Sequence, residues 1–295
     1  MKISVIIPVK NRAHIIKETI NSVISTNYPH LEIIIVDNNS KDNIAEIVRN
    51  YKNVKYIKND DDRERSYSRN IGIKIAKGDF VTFLDSDDLL KNGIFESFKN
   101  SLNINREDKF FFINYDYKKE NINIKNSNIF KKKFCTIKDL VKSNYISNIG
   151  IFIKRELALK NLWDENKYII GTEDYDFVLR LMIKINRAVL ISKIPQAYVR
   201  LHDGRSVFND KEKNIVKRFF FFKRKLFRNN EFKNLSNSYK KKIISTQSLY
   251  SSLLLLNCGD KKKSFFFLLI SIKQNLLSIF SKRSLYIIFR LLFKK

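Results

Sequence analysis

Short apolar runs and segments of helical period alternate along the first 90 residues of the chain. A continuous apolar run is typical of a strand buried on both faces, whereas apolar residues that recur every three to four positions indicate an amphipathic helix. The runs predict strands over 3–8, 31–36, 54–57 and 80–84. Helices are expected after Asn11, which can cap the first of them, after Asp42, and over Arg65–Lys77, which Gly78 closes.

This alternation predicts a parallel sheet with helices on both faces. Ligands of such sheets bind beyond the carboxyl ends of the strands. Three polar segments follow the predicted strands at those ends, namely Pro8–Asn11, Asp37–Asp42 and Asp85–Asp88. Separate parts of the sequence therefore point to one functional rim.

The pattern is weaker after residue 90, where strands are expected over 110–115, 149–153 and 197–201 and a polar loop or hairpin over 118–133. A helix is predicted over Glu173–Ile185, because Phe177, Leu181 and Ile185 share one face. Beyond residue 205 the pattern is helical over 209–228, 236–257, 261–280 and 283–294. We therefore expect an α/β domain over 1–205 and a helical region over 206–295.

Charge is distributed unevenly between these two regions. The formal net charge is +27, and residues 206–295 contain 21 Lys and Arg against 4 Asp and Glu. A basic region of this kind favours anionic partners, such as a phosphate-bearing substrate, an acidic lipid or a nucleic acid. The sequence has no zinc-finger, RRM or helix-turn-helix signature, so a nucleic-acid-binding protein is the weakest alternative and no nucleic-acid partner is expected.

The sequence indicates a cytoplasmic protein without a membrane span. The first residues, MKISVIIPVKN, lack a signal-peptide cleavage site, and no uncharged apolar stretch reaches the roughly 18 residues that a spanning helix needs. Cys135 and Cys258 fit no metal-ligand spacing, so neither a disulfide framework nor a zinc site is expected.

The strongest chemical signal is Asp85-Ser86-Asp87-Asp88, which follows a predicted strand. Hard divalent cations take oxygen ligands, and Mg²⁺ is usually bound by one or two carboxylates together with substrate phosphates. A metal site therefore suits this strand end. The alternative is a solvated acidic turn that caps a helix starting near Leu89.

Two further acidic segments allow both a functional and a structural interpretation. Asp37 ends a predicted strand, so its carboxylate could accept a hydrogen bond from a nucleobase or ribose, or could serve the turn; Asp42 is expected to cap the next helix. Glu173 and Asp174 open the predicted helix. A carboxylate there could complement the helix dipole or remove a proton from an attacking hydroxyl.

Four strings in order resemble glycosyltransferase family 2 with its GT-A fold: SVIIPVKN, VDNNSKDN, SRNIGIKIAKGDFVTFLDSDD and WDENKYIIGTEDYDFVLRL. The resemblance covers residues 1–205 and implies a Rossmann-like α/β fold, with a nucleotide-sugar half over about 1–90 and an acceptor half over about 91–205. It also implies an inverting transfer of a hexosyl or N-acetylhexosaminyl group from a nucleoside-diphosphate sugar, with UDP the nucleotide most frequent in the family.

The resemblance implies a role for each acid. Asp37 matches the acid that contacts the base, and Asp85 matches the first acid of the DxD motif, near ribose and phosphate. Asp87 matches the acid that coordinates Mg²⁺ or Mn²⁺, with Asp85 close by. Asp174 matches the catalytic base, and Glu173 stands beside it.

The remaining positions of the nucleotide-sugar site follow from the same resemblance. Pro8, Val9 and Asn11 belong to the strand end that lies against the base, and Ser86 lies within the DxD motif. Lys10 departs from the family pattern, in which an aromatic residue is frequent at this position.

Two basic residues, Arg69 and His202, allow both a functional and a structural interpretation. Arg69 matches the Arg of the family's Arg-Asn pair and could bind phosphate or brace the Asp37 loop, or could lie on a helix surface. In the segment of Arg200, His202 and Ser206, His202 could reach the diphosphate or the metal, or could be structural.

The basic region interleaves Lys and Arg with Phe, Leu and Ile, which is typical of amphipathic helices on an anionic membrane surface. A helical appendage packed on the catalytic domain is the alternative. We expect a peripheral protein at the inner face of the cytoplasmic membrane.

The expected activity is transfer of a sugar to a hydroxyl of a glycan or lipid-linked acceptor during surface polysaccharide or oligosaccharide synthesis. A non-catalytic sugar-nucleotide-binding scaffold is the alternative, although Asp37, Asp85, Asp87 and Asp174 are all present. A sugar nucleotidyltransferase is disfavoured, because no Gly- and Arg-rich loop follows the first strand.

Overall fold

The computed structural model describes residues 1–127, 129–202 and 210–293. In these ranges the strands are β1 (Ile3–Val9), β2 (Leu31–Asp37), β3 (Val54–Lys58), β4 (Phe80–Phe83), β5 (Leu89–Leu90), β6 (Phe110–Phe112), β7 (Tyr115–Lys119), β8 (Ile122–Ile124), β9 (Phe134–Thr136), β10 (Phe152–Lys154), β11 (Arg187–Leu190) and β12 (Ala197–Arg200). The α-helices are α1 (Ala13–Ile24), α2 (Ile44–Arg49), α3 (Arg65–Ile75), α4 (Ile94–Ile104), α5 (Ile137–Leu140), α6 (Arg155–Leu159), α7 (Glu173–Ile185), α8 (Glu212–Arg228), α9 (Asn237–Asn257), α10 (Lys261–Gln274) and α11 (Lys282–Phe293). Short 3-10 helices cover Lys167–Ile169, Asn230–Phe232 and Leu276–Phe280.

The four strands expected in the first 90 residues form the parallel half of a mixed sheet. Strand β1 pairs in parallel with β2 and β4, and β2 pairs in parallel with β3. Every residue of β1 is buried, as expected for a central strand covered on both faces. The full order is β3-β2-β1-β4-β10-β6-β11-β9, and a smaller sheet runs β5-β12-β7-β8. The predicted α/β class is therefore confirmed.

The part of the chain after residue 90 differs from its pattern in several places. The expected strand over 110–115 is two strands, β6 and β7, which belong to different sheets. The strand expected over 149–153 is β10, displaced to Phe152–Lys154 and antiparallel to β4 and β6. The polar segment 118–133 contains the predicted hairpin, formed by β7 and β8. Helix α7 has the predicted bounds.

Gly78 does not close helix α3, contrary to the prediction. The helix ends at Ile75, and the N–H of Ala76 donates to the carbonyl of Gly72. A Cβ atom on Gly78 would lie 2.6 Å from Oγ of Ser4 and 2.7 Å from the backbone nitrogen of Ser4. The residue is therefore a glycine because the start of β1 approaches it too closely for a side chain.

The chain divides into two compact units. The first comprises Met1–Thr136, Tyr145–Glu165 and Glu173–Asp203, and the second comprises Ile137–Asn144, Asn166–Thr172 and Gly204–Lys295. The boundary expected between residues 205 and 206 lies outside the described residues. The division into a catalytic domain over 1–205 and a helical region over 206–295 stays a prediction.

An aromatic cluster fills the core of the first unit beside its Ile and Val side chains. The ring of Phe98 stacks on that of Phe152 with centroids 4.4 Å apart. Phe80 and Phe111 meet Phe98 edge-on, with centroid separations of 5.0 and 5.3 Å. The many Phe residues of the sequence therefore have a packing role here.

The second unit is helical, as the pattern predicts for its C-terminal part. The helix expected over 261–280 is interrupted, because α10 ends at Gln274 and Leu276–Phe280 forms a 3-10 helix. Among the described residues, none of the helices combines the length and the hydropathy that a bilayer crossing would need.

Candidate functional site

The carboxyl ends of β1 and β2 are joined by hydrogen bonds. Pro8 and Val9 lie opposite Val36 and Asp37 in the parallel register. The carbonyl of Val9 accepts a hydrogen bond from the N–H of Asn38 at 2.8 Å. Both β1 residues are buried, so the strand end offers mainly its backbone and apolar surface.

Asn11 and Asp42 cross-link the two loops in a way that the sequence did not predict. Asn11 has a positive φ of 50°, and its side-chain oxygen accepts from the N–H of Lys41 at 2.8 Å. The carboxylate of Asp42 accepts from the N–H of Ala13 at 2.8 Å. Asn11 therefore does not cap α1; the side chain of Asp42 binds the first turn of α1 rather than that of α2, whose N-cap is Asn43.

Asp37 lies fully buried beneath this rim instead of projecting over it. One carboxylate oxygen accepts from the N–H and the hydroxyl of Ser40, at 2.9 and 2.5 Å. The other accepts from the Tyr56 hydroxyl at 2.5 Å. Burial and the hydrogen bond to Asp37 raise the pKa of Tyr56 above its usual range. The carboxylate thus organises the turn, and its contact with a nucleobase stays a prediction.

The turn after β4 brings several acidic side chains together. The backbone N–H of Asp88 donates to the carbonyl of Asp85 at 3.0 Å. The carbonyl of Ser86, a buried residue, accepts from the Thr19 hydroxyl at 2.9 Å. Leu89 starts the strand β5 rather than a helix. The alternative of a helix cap is therefore wrong, and the turn connects β4 to β5, which belong to different sheets.

Asp85 is held by cationic and amide donors. Its Oδ1 accepts from Arg69 at 2.7 Å and from the side-chain amide of Asn148 at 2.8 Å. Burial by itself would raise the pKa of Asp85, but the guanidinium groups of Arg69 and Arg65 and the amide of Asn148 outweigh burial and lower it. The side chain is therefore ionised and fixed in orientation.

Asp87 meets His202 at the other end of the same turn. Its Oδ2 lies 2.9 Å from Nε2 of His202 and 3.7 Å from Arg12. Asp88 is buried and accepts from the backbone N–H of Arg200 at 3.0 Å. His202 and Arg200 thus reach the acidic turn, whereas Ser206 lies outside the described residues.

The donor set suits a hard divalent cation. Carboxylate oxygens of Asp85, Asp87 and Asp88 lie within 4.8 Å of one another, and oxygen ligands are those that Mg²⁺ and Mn²⁺ prefer. Asp88 is the least available of the three, because it is almost fully buried and bonded to the backbone. Asp87 and Asp85 are the carboxylates that fit a shared metal and phosphate.

Glu173 and Asp174 are adjacent in the chain but differ in their electrostatic surroundings. Glu173 is buried, and its Oε1 lies 2.5 Å from Nε of Arg65 and 3.8 Å from Arg69. The charge of Glu173 raises the pKa of Arg65. Asp174 is half-buried, and its Oδ1 accepts from the N–H of Tyr175 at 2.8 Å.

The pKa of Asp174 is raised to about 6, chiefly by burial and secondly by the charge of Glu173. Within the part of the chain that the structure describes, Asp174 forms no salt bridge. A carboxylate with a pKa near the working pH and without a bound cation is suited to receive a proton. Glu173 is therefore the ion-paired acid, and Asp174 is the acid that can accept a proton.

Arg69 lies inside the molecule, with its side chain 2% exposed. It bonds Asp85, faces Glu173, and lies over the Trp163 ring with the guanidinium carbon 4.6 Å from the ring centroid. The surface alternative is therefore wrong. Its contacts join the acidic turn to the start of α7, and no hydrogen bond ties it to Asp37.

Sequence reasoning missed four residues of this network: Arg12, Tyr56, Arg65 and Asn148. Arg65 was detectable in principle, because it stands four residues before Arg69 and such pairs share one helix face. Asn148 and Tyr56 carry no local signal. They reach Asp85 and Asp37 only because distant segments fold beside them.

Parallel strands that end in acidic turns, next to a helix that opens with paired carboxylates, define a glycosyltransferase of the GT-A class. Solved structures share the fold. The complex of S. aureus TarS 1-349 with UDP-GlcNAc superimposes with a TM-score of 0.63 at 18% identity, over 94% of this chain and 90% of that chain. The chain belongs to glycosyl transferase family 2, whose model matches residues 4–161.

Curated relatives agree with the family. An uncharacterized glycosyltransferase of Haemophilus influenzae is 30% identical over 75% of this chain and 88% of its own length. The Escherichia coli UDP-Glc:alpha-D-GlcNAc-diphosphoundecaprenol beta-1,3-glucosyltransferase WfaP is 28% identical over 73% of this chain and 83% of its own length. Other relatives match over only 17–35% of their length.

Proposed function

We propose that this enzyme transfers a sugar, with inversion, from a UDP-sugar to a hydroxyl of a glycan or lipid-linked acceptor. The reaction would belong to the synthesis of a surface polysaccharide or oligosaccharide. The observation that carries the proposal is the unequal pairing of Glu173 and Asp174 beside the acidic turn. The names of the E. coli relative, which uses UDP-Glc, and of TarS in complex with UDP-GlcNAc support the donor class.

Asp174 is the proposed catalytic base. It accepts the proton of the acceptor hydroxyl as that oxygen attacks the anomeric carbon. The bond from this carbon to the diphosphate oxygen breaks, and the electron pair leaves with the nucleoside diphosphate. Attack from the face opposite the diphosphate inverts the configuration. Glu173 stays ionised against Arg65 and Arg69, and it helps to keep the pKa of Asp174 raised.

Asp87 and Asp85 are the proposed ligands of Mg²⁺ or Mn²⁺. The ion would neutralise charge on the departing diphosphate. His202 touches Asp87 at 2.9 Å, so it is positioned to orient that carboxylate or to contact the diphosphate. Arg12, 3.7 Å from Asp87, adds positive charge on the same side.

The nucleoside is assigned to the joined ends of β1 and β2. Pro8 and Val9 would supply apolar contact to the base, while Asn11 and Asp37 shape the loop around it. Ser86 and Arg69 would hold the acidic turn close to the ribose and the diphosphate. Asp37 is fully buried, so its contact with the base requires a shift of the residues that cover the carboxylate.

We assign the nucleotide-sugar half of the catalytic domain to residues 1–90 and the acceptor half to 91–205. The basic region 206–295 is assigned to an anionic membrane surface at the inner face of the cytoplasmic membrane. Its 21 Lys and Arg against 4 Asp and Glu support this partner.

Calorimetry of UDP, GDP and dTDP with Mn²⁺ tests the donor site. We expect UDP to bind the wild type, and we expect Asp87→Asn to lose the Mn²⁺-dependent part of the affinity. Glu156→Gln is a matched control, because this carboxylate is 62% exposed and its salt bridge within the described residues is to Lys109 at 3.7 Å. Absence of binding by all three nucleotides would contradict the proposal.

Asp174→Asn tests the base. With an acceptor of the lipid-diphosphate-linked GlcNAc class, turnover should fall by roughly 10² to 10⁴-fold while UDP affinity is kept. Unchanged turnover would remove Asp174 from this role. A wild type that binds UDP but transfers no sugar from any donor to any acceptor would favour the scaffold alternative.

A further inference from the structure

The C-terminal helices of the second unit bury many serine hydroxyls beside an apolar cluster of Leu249, Leu256, Leu268 and Ile287. The buried serines on α9, α10, the 3-10 helix and α11 are Ser245, Ser248, Ser251, Ser252, Ser264, Ser271, Ser278 and Ser284. Most of them bond one another across the helices. Ser271 meets Ser245 at 2.8 Å and Ser278 at 3.0 Å, and Ser252 meets Ser264 at 3.0 Å.

Large apolar side chains lie on the outside of the same segment. On the 3-10 helix, Leu276, Leu277 and Phe280 are 75%, 75% and 76% exposed. Further exposed residues are Phe265, Phe266, Leu269, Leu285, Tyr286, Phe289, Leu292 and Phe293. Single exposed apolar residues are ordinary, but a concentration of this size marks an interaction surface.

Hydroxyl hydrogen bonds between helices, combined with large apolar side chains on the outside, are also found in helices that contact lipid. In a bilayer the apolar effect does not drive helices together, so small residues and hydroxyl hydrogen bonds form the contacts and apolar side chains face outwards. In water the same arrangement would leave apolar area exposed without compensation. No helix among the described residues can cross a bilayer, so the geometry fits a segment that lies in the interface.

Charge selects the kind of lipid surface. Residues 261–293 contain seven Lys and Arg and no Asp or Glu. Lys273 and Lys282 are exposed and flank the 3-10 helix. Cations beside an apolar insertion favour anionic headgroups, because the apolar groups enter the acyl boundary while the ammonium groups stay at the phosphates.

We propose that Leu276, Leu277 and Phe280, the apolar corner between α10 and α11, insert into the interface of an anionic bilayer. The inference deepens the proposed membrane partner and does not depend on the transferase chemistry. Salt distinguishes insertion from purely electrostatic adsorption. High salt screens the lysines, but the apolar part of the membrane affinity remains. The corner is thus an anchor, and the basic residues select the membrane.

Flotation of the full chain with vesicles tests this anchor. The vesicles are phosphatidylcholine alone or phosphatidylcholine with phosphatidylglycerol, at low salt and at about 0.5 M NaCl, where charges are strongly screened. We expect the wild type to float with the anionic vesicles and to stay partly bound in high salt. A triple variant, Leu276→Ser, Leu277→Ser and Phe280→Ser, should lose at least about tenfold in partitioning.

The matched control replaces three exposed apolar residues of the first unit, Ile104→Ser, Ile122→Ser and Ile194→Ser, which are 74%, 65% and 71% exposed. It should float like the wild type. Circular dichroism shows whether both triple variants are folded. If the corner triple variant is unfolded, the single variant Phe280→Ser gives the same test. UDP binding, measured separately, reports on the donor site alone.

Three results would overturn the anchor. The first is a wild type that does not float with anionic vesicles at low salt. The second is full release in high salt together with unchanged flotation of the corner variant, which would mean adsorption by charge only. The third is a wild type that does not float but sediments as a dimer, together with a corner variant that sediments as a monomer. That result would make the corner a contact between two copies of the chain.

Discussion

The two units of the chain bury different kinds of group. In the first unit Ile, Val and Phe fill the core. The buried charges include Arg69 on α3 and Glu173 on α7, which form a charge network with the partly buried Asp85 after β4. In the C-terminal helices the buried groups include many serine hydroxyls beside a small apolar cluster, and many other large apolar residues are exposed. Large apolar residues therefore fill the core of a catalytic fold in one unit and, on our proposal, form a lipid-facing surface in the other.

Phenylalanine residues show the difference between the two units most clearly. Phe98 is fully buried among Phe80, Phe111 and Phe152, so Phe98→Ala should lower the free energy of unfolding by about 3–5 kcal/mol. Phe280→Ala, at a 76% exposed position, should change it by less than about 0.5 kcal/mol. Urea titrations followed by circular dichroism measure both. Equal costs at the two positions would remove the contrast between the units.

A pH profile tests the electrostatics of the first unit. Asp174 must be deprotonated to act as base, and its pKa is about 6. Therefore kcat/KM should level off above that pH and fall tenfold per unit below it, which corresponds to about 1.4 kcal/mol per unit. Arg65 lowers the pKa of Asp174, so Arg65→Gln should move this limb to higher pH.

Arg65→Lys keeps the charge and serves as the control for that shift. Its acidic limb should stay near that of the wild type. If Arg65→Gln left the limb in place or moved it to lower pH, the pairing of Arg65 with Glu173 would not govern the base.

The smallest effect is expected for the buried hydroxyls. Ser271→Ala removes hydrogen bonds to Ser245 and Ser278 and should cost about 1 kcal/mol. Ser238→Ala on the exposed start of α9 should be neutral within about 0.5 kcal/mol. Hydrogen exchange of α9 and α10 amides is the measurement. A stabilising Ser271→Ala would mean that these hydroxyls do not hold the helices together in water.

The sequence predicted the parts of the fold that local pattern controls. The four parallel strands and helix α7 follow from apolar runs and period, and the family strings predicted the GT-A class. Asn11 and Asp42 were assigned wrongly, because capping rules consider one helix at a time, whereas both side chains bind across two loops. Gly78 was misassigned for a similar reason, since its constraint comes from Ser4 in a distant strand.

The sequence predicted which acidic residues form the site, but not which hydrogen bonds and ion pairs they make. Spacing located Asp85, Asp87, Glu173 and Asp174, yet nothing local distinguishes the acid held by Arg65 from its neighbour. Which of two adjacent carboxylates is neutralised depends on a side chain 108 residues away in the chain. That information exists only after the chain has folded.

The second unit is not contiguous in the chain. Segments 137–144 and 166–172 belong to it together with the C-terminal helices. Arg218 donates to the carbonyl of Ile170 at 2.9 Å, and Thr246 donates to that of Val141 at 2.9 Å. A truncation after residue 205 would therefore strip both segments of their packing, and one of them leads directly into Glu173. Exchange of C-terminal helices between relatives would have to carry these two internal segments as well.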